Sequence, residues 1–171
     1  MRTSKTTIAL AAALATVAVA VPAAPVSAHD GAQRDLAEAR RATAPFHSIK
    51  QARAAGYEAE AAEHCIEVPG LGGMGFHNPN PALMDLDLDT AKPELLLYAP
   101  KKNGGLKLVG VEYFVPYIGQ PAPELFGQRF DGPMAGHEPG MPEHYDLHVW
   151  LWKKNPNGMF AQFNPNVSCT P

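Results

Sequence analysis

The sequence contains few charged residues and only two cysteines, and the shortage of basic charge argues against two kinds of partner. Charged residues make up 18% of the 171 residues, the formal net charge is −3, and no block of basic residues occurs. The absence of a basic patch argues against nucleic acid as a partner. No basic amphipathic helix is present that would hold the chain on a membrane surface. The sequence also shows no internal repeat.

Residues 1–28 have the features of a secretory signal peptide. Arg2 and Lys5 precede an apolar and small-residue run over 6–21, and residues 26–28 (Val-Ser-Ala) match the small-x-small cleavage pattern. An uncleaved anchor is the alternative, but the run is short for a membrane span and prolines follow it. We predict cleavage after Ala28 and export of residues 29–171 as a single globular secreted domain with no stable membrane span.

The two cysteines, Cys65 and Cys169, both lie in the predicted mature chain. An exported protein meets an oxidising compartment, and two cysteines permit one pairing. Closing a loop of about 100 residues stabilises a domain by ~4–5 kcal/mol in the chain-entropy model. A cysteine metal ligand or a reactive thiol is the alternative, but no CxxC spacing supports it. We therefore predict a disulfide that ties the end of the chain to the start of the domain.

The first part of the mature chain predicts two helices. One covers residues 30–43, with Asp30 as its N-cap, and the other covers 48–55. Gly56 follows the second helix at the position where helices commonly stop in the left-handed conformation. The glycine-dense stretch 69–77 and the prolines just after it then predict a loop.

The rest of the chain predicts antiparallel strands. Residues 94–99 and 106–115 form a hairpin around an Asn-Gly turn. The proline- and glycine-rich segment 116–142 predicts a long loop, which in a compact domain is often functional. A strand around residue 148 and a hairpin partner over 159–163 follow. Helices first and hairpins afterwards predict an α+β fold, with N-terminal helices packed on an antiparallel sheet that curves into a sandwich or partial barrel.

Residues 143–152 combine an aliphatic row with a polar row. At the period of two of a strand, alternate side chains point to opposite faces of a sheet. One row is Tyr145, Leu147, Val149 and Leu151, and the other is His144, Asp146, His148, Trp150 and Trp152. A strand that buries the first row in a core directs two imidazoles and a carboxylate into one shared space. That arrangement suits a metal site or an acid–base site.

His77, Glu112 and His148 are the predicted ligands of one divalent metal ion. Glu112 lies among apolar residues of the predicted strand 106–115, and a carboxylate in such surroundings must be solvated, paired or metal-bound. His77 is the last residue of the glycine-dense stretch. Glycines let the backbone approach a ligand closely, so a histidine at this position can project into a cleft. Histidine and carboxylate ligands favour zinc, iron or manganese. The supplementary candidates are Glu94, His137 and His144.

Each predicted ligand also has a structural alternative. His77 can be a surface histidine in a turn, and Glu112 can lie on a solvated sheet face. His148 can be a buried histidine hydrogen-bonded among tryptophans. His144 and His148 lie ~13 Å apart along a strand, so they do not easily share one ion. Copper is less favoured, because it depends on the free amine and imidazole of His29 after cleavage.

A non-catalytic binding module is the alternative function. Under this hypothesis an aromatic face forms a pocket for a small molecule or a sugar, and the histidines only donate hydrogen bonds. The sequence supports it nearly as well as a metal site, because no nucleophile–base pair or complete ligand motif is recognisable. The predicted pocket residues are Phe114, Asp146, Trp150 and Trp152.

Several segments together resemble a family of small secreted bacterial proteins of uncharacterised function. The segments are GGMGFH (72–77), PELLLY (93–98), LVGVEY (108–113), LHVWLWKKNPNGMF (147–160) and FNPNVSC (163–169). The resemblance spans nearly the whole predicted mature chain. It implies export and a single domain, and it implies no activity.

Overall fold

Two helices open the part of the chain that the structure, a computed structural model, describes: residues 27–58, 65–137 and 140–171. Helix α1 covers Ala28–Thr43 and α2 covers Ile49–Ala54. The N-cap of α1 is Ser27, whose Oγ accepts a hydrogen bond from the Asp30 amide at 3.1 Å. The prediction that Asp30 is the cap was wrong, because Asp30 lies in the first turn. Nearly all of the predicted signal peptide lies outside the described residues.

The strands are β1 (Cys65–Val68), β2 (Gly72–Pro79), β3 (Leu95–Pro100), β4 (Leu106–Pro116), β5 (Glu124–Leu125), β6 (Gln128–Arg129), β7 (Asp131–Met134) and β8 (His144–Val149). Six of them form one antiparallel sheet that curls into a half-barrel, in the order β1-β2-β3-β4-β8-β7. The predicted α+β class and partial barrel are therefore confirmed. A separate two-stranded hairpin, β5–β6, precedes β7 in the chain.

The glycine-dense stretch is strand β2 from Gly72 onwards, so the prediction of a loop was wrong over these residues and holds only for the turn at 69–71. Strand β2 pairs with β1 on one side and with β3 on the other. Its glycines permit backbones to approach closely, because a Cβ at Gly75 would lie 2.6 Å from the Tyr98 carbonyl oxygen. Glycine here meets a packing requirement inside a sheet. His77 consequently lies within a strand and not at the exit of a loop.

The predicted long loop over 116–142 contains regular structure. Its middle forms the β5–β6 hairpin, and β7 pairs with β8 as the edge of the main sheet. Sequence patterns miss β7 because Pro133 and Gly132 read as loop residues, while an edge strand tolerates both.

The predicted strand over 159–163 is absent from the described structure. Strand β8 ends at Val149, and beyond it the Trp150 amide donates a hydrogen bond to the Met159 carbonyl at 2.9 Å. Residues 155–161 form two tight turns, so they do not pair with β8 as a continuous strand.

The two faces of the sheet bury different groups. Apolar side chains that alternate along β4 and β8, including Tyr113 and Leu147, share the main core with Leu36 and Ala39 of α1. On the opposite face a smaller cluster packs around Trp150 and includes Val167 of the C-terminal segment. The remaining part of that opposite face carries Glu112 and the ionisable row of β8.

A disulfide joins Cys65 to Cys169 across 104 residues of sequence, as the sequence predicts. Glu67, also in β1, reinforces the junction, because its Oε2 accepts a hydrogen bond from the Cys169 amide at 2.7 Å. The edge strand β1 is thereby tied to the C-terminal segment. In the described residues no helix combines the length and apolar character that crossing a membrane requires.

Replacing both cysteines, Cys65→Ser with Cys169→Ser, is expected to destabilise the domain by roughly 4–5 kcal/mol, because the unfolded chain regains the entropy of a long open loop. Urea unfolding of the double variant and the parent measures the loss. Intact-mass analysis after alkylation, with and without reductant, checks the bond itself. Two alkylated thiols in the unreduced native protein would contradict the crosslink.

Candidate metal centre

The pairing of neighbouring strands brings three ionisable side chains together on the face opposite the helices. Glu112 of β4 lies directly across from His148 of β8. His77 of β2 pairs with Leu97 of β3, one strand away from β4. Curling of the sheet brings His77 towards Glu112. The sequence prediction of this group of three corresponds to one cluster in the structure.

The ligand atoms of the cluster are close to one another. His77 Nε2 lies 3.1 Å from Glu112 Oε2, and His148 Nε2 lies 3.6 Å from the same oxygen. All three candidate ligand atoms lie within 4.8 Å of one another. Ligand atoms about 2.0–2.2 Å from a tetrahedral ion are separated by roughly 3.3–3.6 Å. The cluster is therefore already near the geometry in which one ion contacts all three residues.

The cluster is buried, and the ring of its most buried histidine lacks hydrogen bonds. The side chains of His77, Glu112 and His148 are 12%, 5% and 1% exposed. Both ring nitrogens of His148 are without a hydrogen-bond partner within the described parts of the chain. Leaving a buried polar atom unsatisfied costs about 1–3 kcal/mol, and more for a charged group. These atoms gain most from a cation placed among them.

The pKa shifts of Glu112 and His148 favour the protonation states that bind metal ions. Burial raises the pKa of Glu112, but attraction to His148 and His77 outweighs burial and lowers that pKa to about 2. Burial also lowers the pKa of His148 to about 4, against the attraction of Glu112. An ionised carboxylate and a neutral imidazole are the forms that bind metal ions.

A pocket of about 380 Å³ adjoins the cluster. His77 and Glu112 line it from the sheet, and Met141 and Pro142 line it from the end of the segment predicted as a functional loop. Sequence patterns do not identify its other wall residues, because isolated apolar side chains on several elements give no shared signal. These residues are Ile66, Pro79, Pro81, Met84 and Leu95.

His137 and His144, two of the supplementary candidates, lie beside the cluster without joining the group of three. The His144 ring stacks on Phe114 with centroids 4.5 Å apart, and its Nδ1 lies 3.0 Å from the Pro142 carbonyl oxygen. The His137 ring lies 5.5 Å from that of His144 and lines the pocket. His144 supports the pocket wall, whereas His137 faces the pocket.

Glu94 is also outside the group of three, because its carboxylate binds the backbone. Glu94 Oε2 accepts a hydrogen bond from the Phe114 amide at 3.0 Å. Its side chain is buried, and burial raises its pKa from 4.5 to about 8. Glu94 thus joins the start of β3 to β4 instead of offering a free carboxylate.

The predicted aromatic face does not form as one surface. Trp152 packs against the helix-side core and meets the His47 ring at 4.5 Å. Trp150 lies in the smaller cluster, with its Nε1 donating to the Ala161 carbonyl at 2.6 Å. The period of two ends with β8 at Val149, so the two tryptophans separate. Phe114 alone among the predicted aromatic residues lines the pocket.

Asp146 is the remaining member of the polar row of β8. It is buried on the same strand as His148, and its Oδ1 has no hydrogen-bond partner in the described residues. Burial raises its pKa to about 8, and repulsion from Glu112 and Asp131 acts in the same direction. A carboxyl group in this environment is largely protonated at neutral pH and differs in charge from Glu112.

Comparison with known proteins gives no assignment: no protein-family model, curated protein or solved structure matches the chain. The resemblance to small secreted bacterial proteins stays a prediction. The candidate site must be judged from its own geometry.

Glu94 predicts a pH dependence of stability. Between pH 6.5 and 8 the folded state retains a Glu94 proton that the unfolded state has already lost, so stability falls as pH rises through this range. Glu94→Gln has no such proton, and its slope is expected to be shallower by up to ~1.4 kcal/mol per pH unit. Urea unfolding with a chelator present, at several pH values, measures both slopes.

The exposed glutamate Glu124 supplies the matched control for that experiment. Glu124→Gln is expected to leave the parent slope unchanged. Equal slopes for the parent and Glu94→Gln would show that Glu94 is ionised in the folded protein.

Proposed function

We propose that the protein binds one divalent metal ion through His77, Glu112 and His148. The observation that carries the proposal is the buried convergence of two imidazole nitrogens and a carboxylate oxygen within 4.8 Å. Two histidines and one carboxylate suit zinc, iron or manganese. Two features support a location outside the cytoplasm for this centre. The sequence resembles secreted proteins, and the disulfide is suited to an oxidising compartment.

The main alternative is a structural histidine–carboxylate group without metal. Such a group keeps its charge only where hydrogen bonds or solvent replace the lost hydration. Here His148 Nε2 is buried without a hydrogen-bond partner in the described residues and lies 3.6 Å from Glu112 Oε2, which is too far for a good hydrogen bond. An ion bound to both atoms compensates for the burial of this nitrogen, so the metal hypothesis accounts for it and the structural one does not.

The proposed centre is of the open type. Structural zinc sites commonly have four protein ligands, whereas catalytic sites keep three and leave a position for water or substrate. His77 and Glu112 border the pocket, so an open position on the ion faces a space that a small molecule can enter. When bound there, a divalent ion lowers the pKa of a bound water or polarises a carbonyl group. A hydrolytic reaction is therefore the activity that we propose to test first.

Protein secreted without an affinity tag is expected to contain close to one equivalent of metal by elemental analysis. His148→Ala and Glu112→Gln each remove a ligand and are expected to reduce metal affinity by at least 100-fold, because a two-ligand site binds weakly. Titration of chelator-treated protein with zinc or cobalt(II) measures the affinity. Cobalt(II) also reports its coordination through its visible absorption.

His47→Ala is the matched control, since His47 is an exposed histidine that contacts Trp152 instead of the cluster. It is expected to keep full metal content. Metal that is substoichiometric and insensitive to His148→Ala would overturn the proposal. Circular dichroism of each variant separates loss of a ligand from loss of the fold.

A further inference from the structure

The pocket beside the proposed metal centre has an unusually uniform wall. Apolar side chains form most of it, contributed by β1, β2, β3, β4 and the segments that connect β2 to β3 and β7 to β8. The polar side chains in the described wall are His77, Glu112 and His137, and all three lie at or near the cluster. The apolar wall residues are Ile66, Pro79, Pro81, Met84, Leu95, Phe114, Met141 and Pro142.

The composition of this wall excludes two common ligand classes. No lysine or arginine lines the pocket in the described residues, although phosphate recognition relies on such side chains or on clustered backbone amides. A sugar needs several hydrogen-bonding partners, and an unpartnered hydroxyl in an apolar wall costs about 1–3 kcal/mol. The two tryptophans that a sugar would stack on lie elsewhere. Phosphate esters and sugars therefore fit poorly.

We infer that the pocket binds a compact ligand with a hydrocarbon body and one metal-binding oxygen group at its end. This inference rests on the proposed metal centre, because the ion would anchor the head group. A volume of about 380 Å³ accommodates roughly a dozen non-hydrogen atoms at ~30 Å³ each. The hydrocarbon body then contacts the apolar wall while the oxygen group occupies the open position.

Two methionines make the wall adaptable. Met84 follows the short helical turn Pro81–Leu83, and Met141 precedes β8, so they approach the pocket from separate segments. Both are half-buried. Unbranched, polarisable side chains repack around hydrocarbon chains of different shape. We expect affinity to depend on the length and polarity of the ligand body more than on its branching.

A series of straight-chain hydroxamates tests this inference on the metal-loaded protein. From acetohydroxamate to octanohydroxamate, affinity is expected to rise about threefold to fourfold for each methylene group until the pocket is filled. Gluconohydroxamate, which has six carbons and five hydroxyl groups, should bind at least tenfold more weakly than hexanohydroxamate. The cobalt(II) spectrum reports binding at the ion, and elemental analysis after dialysis confirms that the probe has not removed the metal.

Wall variants separate the pocket from the ion. Met84→Lys and Met141→Lys are expected to weaken octanohydroxamate at least tenfold, to affect acetohydroxamate little, and to leave metal content unchanged. Leu86→Lys is the matched control, since Leu86 is 51% exposed and lies outside the pocket wall. It should bind both probes as the parent does.

The outcomes distinguish the two proposals. One equivalent of metal with no dependence on chain length overturns the ligand class and leaves the metal centre intact. Equal binding of gluconohydroxamate and hexanohydroxamate does the same. Protein that holds no metal overturns both proposals. A chain-length dependence lost in the methionine variants, with metal retained, supports the inference.

Discussion

The antiparallel pairing of β4 with β8 is the constraint on which the candidate centre depends. Alternation along both strands commits Tyr113 and Leu147 to the main core. Their neighbours Glu112 and His148 must then lie opposite one another on the other face. A one-residue slip would exchange the faces and bury the ionisable row against the helices. The apolar core thus sets the register, and the register sets the spacing of two candidate ligands.

The third ligand depends on a different device, the close packing of a glycine-containing strand. Strand β2 fits between β1 and β3 because Gly75 lets the Tyr98 carbonyl approach. The disulfide holds β1, the outer neighbour of β2, to the C-terminal segment. Strand β2 is therefore held from both sides as far as Phe76, and His77 follows directly and pairs with Leu97 of β3. Preorganisation of this kind reduces the cost of assembling a metal site.

Alternation, turn chemistry and cysteine count were enough to predict the α+β class, the β3–β4 hairpin, the disulfide and the three converging side chains. They failed where tertiary contacts override local preference. Glycines in β2 resemble a loop until the neighbouring backbone is known, and Pro133 hides an edge strand. Trp150 and Trp152 separate because β8 ends at Val149, and a strand end depends on its partners. Glu94 resembles a ligand until its bond to the Phe114 amide is seen.

The surroundings of the cluster connect its burial to its proposed chemistry. Apolar walls raise the free energy of an isolated carboxylate, and they also weaken solvent screening, which strengthens attraction between Glu112 and a bound cation. The same walls exclude competing hydrogen-bond donors from the open position on the ion. An ion bound at this position would give a positively charged centre at the end of an apolar pocket. This combination favours a ligand that carries its one polar group at the end of a hydrocarbon body, since each part then meets a matching environment.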